Sequence, residues 1–278
     1  MTSDDVVPCS LPVATEPASV YREYTPPAAL KEFLICTWTL EILARSQPHQ
    51  QRVLPDGCSD IVWFGDAPPV VVGPMTRPVL ATTDAGAKLV GLRFRPEVAS
   101  RVLGVPAHEL TDRDIPLDDL WNRGAIDRAS DRIRDERTAA GRAAIAQSLI
   151  ASRCDATRPR DSVVQYAVSL LTAAHCKRID ELARHLGISE RQLHRRFVAS
   201  VGYSPKTFQR IVRFQKLLAL AEADTRAPLG DVSLAAGYAD QAHMTREVVE
   251  FAGVTPGALL GKVASALVGS AQTDQAVL

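Results

Sequence analysis

No stretch of this sequence approaches the ~18 consecutive apolar residues of a membrane span, so no membrane segment is expected. Cysteine pairing is missing too. The five cysteines (Cys9, Cys36, Cys58, Cys154, Cys176) are odd in number, scattered and never in CxxC spacing. That argues against a disulfide framework and against a structural zinc site. The six histidines (His49, His108, His175, His185, His194, His243) are dispersed and give no metal-ligand spacing. P-loop, GxSxG, HExxH and G-x-G-x-x-G patterns are absent, so no enzyme activity, cofactor or metal is expected. The opening "MTSDDVVPCSLPVATEP" lacks the basic-then-apolar order of a signal peptide, which makes the cytoplasm the expected location. Net charge is absent as well, with 32 Lys and Arg against 32 Asp and Glu. What is plentiful is hydrophobic residues, at 46%, a fraction that suits globular folding of a 278-residue chain into two domains.

The zero net charge hides an uneven distribution. Residues 160–220 hold eleven basic side chains against four acidic ones, whereas residues 221–278 hold three against seven. A local basic stripe points to nucleic acid better than whole-chain charge does.

Texture divides the chain. Residues 1–19 read as a loose tail. Residues 20–152 read as one domain, β-rich to about residue 95 and helical after it. Its strands are announced by "FLICTWTLEI", "SDIVWFG", "PPVVVGP" and "KLVGLRF", separated by the breaks "LPDGCSD", "GDAPP" and "GPMTRP". Short strands at this spacing suggest a small sandwich or barrel. "RPEVASRVLGVP" has the start and stop pattern of a short helix, and residues 116–152 fit one or two more. A linker is expected over 153–161, an all-helical domain over 162–268, and a tail over 269–278.

The helical domain contains a repeat. "IDELARHLGISERQLHRRFVASVGYSP" matches "LGDVSLAAGYADQAHMTREVVEFAGVTP", pairing Gly187 with Gly237, Leu193 with Met244, Phe197 with Val248, Gly202 with Gly253 and Pro205 with Pro256. Two copies make a duplicated supersecondary unit, not a solenoid. In the first copy (about 179–202), Gly187 permits a tight turn, and Ser189 with Gln192 makes a capping box. Leu193 and Phe197 then face inward, which leaves Arg191, His194 and Arg195 outward near the helix N-terminus, where a recognition helix meets base edges. In the second copy (about 229–253), Asp240 caps a helix that presents Gln241, Ala242, Thr245 and Arg246. A charged face on a purely structural bundle is the bland alternative. Between the copies a helix from Pro205 to Ala223 would span roughly 28 Å, close to one turn of B-DNA at ~34 Å. Its Lys206, Arg210 and Arg213 are candidates for phosphate contact, or simply for helix solubility. Glu247 and Glu250 make the second unit acidic, so a weaker second reading head is expected.

The segments "LARHLGISERQLHRRFVASVGYSPKTFQRIVRFQKL" and "GYADQAHMTREVVEFAGVTP" resemble the AraC/XylS family of bacterial transcription regulators. The resemblance implies two helix-turn-helix units on a long helix, with base contacts from the recognition-helix positions named above. Val248 departs from the family's usual Phe, and Val249 and Glu250 replace frequent Lys or Arg. "RVLPDGCSDIVW", "GPMTRP" and "GLRFRPEVASRVLG" are similar to a poorly characterised regulatory domain found ahead of such pairs. An α+β protein is thus implied, with a cupin-like N-terminal domain that binds a small effector or dimerises. Its partners would be double-stranded promoter DNA and RNA polymerase, with a homodimer as one arrangement.

Effector candidates are Cys58, Trp63, Arg93 and Arg95, because an effector carboxylate can pair with either arginine. The structural alternative pairs the arginines with Asp56 and Asp60 within a turn. Cys58 is either a redox-sensitive thiol or an inert buried one. Two other functions stay open: an adaptive-response alkyl-acceptor protein, and a partner-binding protein whose DNA binding has decayed.

Overall fold

The computed structural model describes residues 19–43, 49–154, 160–173 and 178–261. The tail before Ser19, most of the expected linker, the segment after Gly261, Cys9 and Cys176 lie outside them.

The N-terminal half is built on an antiparallel sheet. Its strands are β1 (Ser19–Tyr24), β2 (Leu34–Ile42), β4 (Asp60–Phe64), β5 (Val70–Val72), β7 (Lys88–Phe94) and β8 (Asp114–Pro116), in the order β1-β2-β7-β4-β5-β8. Strands β3 (His49–Val53) and β6 (Val79–Thr83) pair only with each other, as a two-stranded ribbon. The sheets do not close, so the expected sandwich or barrel is an open one.

The large sheet is covered differently on its two faces. Ile61 and Trp63 of β4, with Val90, Leu92 and Phe94 of β7, share a core with three helices. These are α1 (Ala99–Leu103), α2 (Arg123–Asp135) and α3 (Ala139–Ala151). The alternate residues, Asp60 and Val62 with Leu89 and Arg93, turn toward the ribbon. Covering on both faces explains why these strands read as continuous apolar runs instead of clean alternations. Arg142 of α3 is buried and ion-paired with Glu41 of β2, which ties the helical layer to the sheet.

The C-terminal half is helical, with α4 (Ser162–Thr172), α5 (Ile179–His185), α6 (Glu190–Val201), α7 (Pro205–Ala223), α8 (Leu229–Ala236) and α9 (Gln241–Ala252), and residues 256–261 are helical as well. Four of these helices start on a side-chain cap. Asp161 accepts from the amides of Val163 and Val164 at the head of α4. Ser189 and Gln192 form the expected capping box on α6. Ser204 caps α7, whose first residue is Pro205, and Asp240 caps α9. The turns between α5 and α6 and between α8 and α9 contain Gly187 and Gly237 at φ +66 and +96, a left-handed conformation that costs glycine little. Leu182, Leu193, Phe197, Phe208, Phe214, Met244, Val248 and Phe251 fill one shared core. Leu54, from the N-terminal half, belongs to that same core.

Candidate nucleic-acid interface

The second helices of the two units, α6 and α9, keep their core-facing residues fully buried: Leu193 and Phe197 in one, Met244 and Val248 in the other. The spacing of those anchors rotates Arg191, His194 and Arg195 into solvent on α6, and Gln241, Ala242 and Arg246 on α9. Thr245 is half-buried, and its hydroxyl donates to the carbonyl of Gln241 at 2.8 Å. The neighbouring Arg196 serves differently. It grips Asp161 through two bonds of 2.7 Å, tying α6 to the start of α4.

The outer face of α6 is not isolated from the N-terminal half. Arg191, His194 and Arg195 line a cleft of about 690 Å³ together with His108. His108 lies in a 3-10 turn, Ala107–Glu109.

The connector α7 departs from expectation. Lys206 is exposed and bonds Gln209 within its own helix. Arg210 and Arg213 are engaged by the second unit. Arg210 reaches Glu247 at 2.8 Å and Glu250 at 2.5 Å, and Arg213 reaches Glu247 at 2.5 Å. Their guanidinium groups also lie over the rings of Phe251 and Tyr238, at 5.0 and 4.8 Å. Glu247, one of the acids that make the second unit acidic, is only 4% exposed. Burial acts to raise its pKa, but hydrogen bonds from Arg213 and Arg210 outweigh burial and hold the carboxyl below its usual range. The bond to Glu250, with those to Glu247, drives the Arg210 pKa upward. Two arginines that were candidates for phosphate contact or for helix solubility are therefore paired within the domain, by the acids that made the second unit look like the weaker head.

The effector candidates do not converge on one site: Cys58 and Arg93 meet through Asp56, whereas Arg95 and Trp63 bond elsewhere. Arg93 is buried and bonds Asp60 at 3.1 Å, with Asp56 at 3.5 Å, which is the structural pairing. Asp60 also accepts from the indole of Trp38 at 2.9 Å. Its pKa is raised, because burial outweighs the attraction of Arg93. Arg95 is exposed and donates to the carbonyl of Lys31. Trp63 points into the helical layer and bonds Ser130 at 3.0 Å. Cys58 is buried in the loop between β3 and β4. Alternation along "SDIVWF" separates Trp63 from Asp60, and this parity was available in the sequence.

Instead, a cavity of about 300 Å³ lies between the large sheet and the ribbon. Trp38, Leu40, Val62, Met75 and Leu89 form apolar wall, and Arg93 with Asp60 forms a polar part of the lining. Among the described residues no group of three His, Cys, Asp or Glu side chains is arranged to hold a metal, and no helix is long and apolar enough to cross a membrane.

Residues 22–116 match the family model "Domain of unknown function (DUF6597)", and residues 182–262 match the model "Helix-turn-helix domain". No curated protein matches the chain. Among solved structures, ToxT from Vibrio cholerae at 1.65 Å resolution shares 9% identity over 88% of this chain and 97% of its own, with a TM-score of 0.41. ToxT from Vibrio cholerae O395 bound to (E)-4-(8-methylnaphthalen-1-yl)but-3-enoic acid shares 8% over 88% and 98%, with a TM-score of 0.40. Unsaturated fatty acid bound wild-type ToxT from Vibrio cholerae strain SCE256 shares 10% over 90% and 98%, with a TM-score of 0.38. Residues 182–262 are a helix-turn-helix domain of the AraC type, and with the DUF6597 domain ahead of it the chain is a DNA-binding transcriptional regulator.

Proposed function

We propose that both units read promoter DNA directly, the first through Arg191, His194 and Arg195 and the second through Gln241, Ala242, Thr245 and Arg246. One observation carries this reading. Two capped helices rest on the same long helix, and both leave the N-terminal part of their outer face to solvent. Arginine at such a position pairs bidentately with guanine. Lys206, at the exposed first turn of α7, remains a phosphate candidate, whereas Arg210 and Arg213 do not.

We further propose that the N-terminal domain is a sensor and that its effector enters the cavity between sheet and ribbon. The apolar walls suit a small, mostly apolar molecule, and Arg77 at the lining is an exposed cation.

Arg195→Ala tests the DNA reading. It should cost about 1–3 kcal/mol on a duplex enriched from random sequence by the wild type. An Arg195→Ala protein that keeps its affinity and its base preferences would remove this arginine from the reading face. Affinity should also fall steeply with salt, and a flat salt dependence would count against phosphate contact.

A further inference from the structure

Both recognition helices end against the N-terminal domain, and they do so at equivalent points of the repeat. At the end of α6, the carbonyl of Gly202 accepts from Thr111 Oγ1 at 3.0 Å. A Cβ on Gly202 would stand 2.6 Å from that oxygen and 2.7 Å from Pro74 Cγ. At the end of α9, the carbonyl of Ala252 accepts from Arg52 Nη1 at 2.9 Å. A Cβ on Gly253 would stand 3.3 Å from that nitrogen and 3.4 Å from Pro78 Cγ. Each head therefore meets one proline and one polar donor, and each donor satisfies a carbonyl at a helix C-terminus, where such groups lack a partner within the helix.

The two prolines bound a single short segment, Pro74 to Pro78. Its centre is fixed to Asp112, which accepts from Thr76 N at 2.7 Å and from Thr76 Oγ1 at 2.5 Å. Thr111, the donor to Gly202, is the residue just before Asp112. Between the heads, the loop from Leu54 docks on α7. Gln215 donates to the carbonyl of Pro55 at 2.6 Å, and a Cβ on Gly57 would lie 2.9 Å from the Phe208 ring. Met75, Arg77, Pro78 and Asp112 line the cavity on the other side.

We propose that Arg52 and Thr111, with Pro74 and Pro78, are positioning residues that set the separation and twist of the two recognition helices. They thereby set the half-site spacing that the protein accepts. The binding readout rests on the DNA reading proposed above. Inserting one base pair moves the second half-site by about 3.4 Å and roughly a tenth of a turn, an error that braced heads tolerate poorly.

The test uses the full chain and a duplex enriched by the wild type from a random-sequence pool, resynthesised with single base pairs inserted between its half-sites. The wild type should lose about tenfold in affinity per insertion, the scale of a mismatch. Arg52→Met/Thr111→Val should lose only about twofold per insertion. The conservative pair Arg52→Lys/Thr111→Ser should restore the intolerance. A double variant that weakens on every duplex by the same factor shows α7 alone setting the spacing, and overturns the proposal. Hydrogen exchange provides a readout without DNA. Thr111→Val alone should speed exchange at 252–254 as well as at 201–203, and a response confined to the nearer end also overturns the proposal. Coupled exchange in a protein that enriches no duplex would sink the DNA reading while leaving the brace intact.

Discussion

The two helix-turn-helix units share a frame and differ in where their charge goes. In the first, the basic residues Arg191 and Arg195 lie on the outer face of α6, and an ion pair of that helix, Arg196 with Asp161, closes onto α4. In the second, the acids Glu247 and Glu250 turn to the connector and take up Arg210 and Arg213. Acidity in α9 is therefore an internal matter and says little about its outer face. That face still carries only Arg246 as a full positive charge, so the first unit remains the more basic head. Net charge summed over a sequence window cannot separate these cases, because it ignores which charges already face each other.

The largest expected effect lies in that internal cluster. Glu247→Ala leaves the Arg213 guanidinium half-buried without its carboxylate, while Arg210 keeps Glu250, which should cost about 3 kcal/mol. Hydrogen exchange should rise over α7–α9 and stay low over α5–α6; a uniform rise would merge the two units into one cooperative block. Arg246→Ala should then weaken DNA binding less than the roughly 1–3 kcal/mol expected for Arg195→Ala. Equal losses would break the ranking of the heads. Removing the caps should be smaller and symmetrical. Ser189→Ala and Asp240→Ala should each lower stability by about 1 kcal/mol in thermal melts, and a silent Asp240→Ala would mean that the second head does not depend on its cap. The gentlest probe is acid. Asp161 and Glu247 are both held below their usual range: burial opposes this, and bonds from Arg196 and from Arg213 with Arg210 outweigh it. A depressed carboxyl pKa contributes stability that is present above the unfolded value and lost as pH falls through the folded one. Both units should loosen below about pH 4, and Glu247→Gln should remove this dependence from the second unit alone, as followed by exchange between pH 3 and about 6.

Local chemistry was legible because its signals lie close in sequence. The capping box at Ser189–Gln192, the cap at Asp240, the start of α7 at Pro205 and its end at Ala223 all stand as expected. The contacts that change the functional reading are long-range. Arg213 meets Glu247 across 34 residues, Arg52 meets Ala252 across 200, and Gln215 meets Pro55 across 160. Periodicity carries no information about such pairs. Fragments such as "LPDGCSD" and "GPMTRP" read as simple breaks between strands, yet they are the surfaces on which the helical half docks. The separate ribbon was hidden for a similar reason: β3 and β6 have ordinary strand texture, and only pairing distinguishes them from the large sheet.

Gly91 gives one more consequence. A Cβ there would stand 2.0 Å from the indole of Trp38, so the missing side chain is the slot in which that ring lies, with its N–H on Asp60. Trp38 thus forms a wall of the cavity, while Trp63 and Trp121, the only other tryptophans of the chain, are buried in the helical layer. The protein carries its own optical reporter. A molecule entering the cavity displaces water from one indole and leaves the other two in unchanged surroundings, so emission from Trp38, isolated as the difference from a Trp38→Phe variant, follows occupancy without any added label.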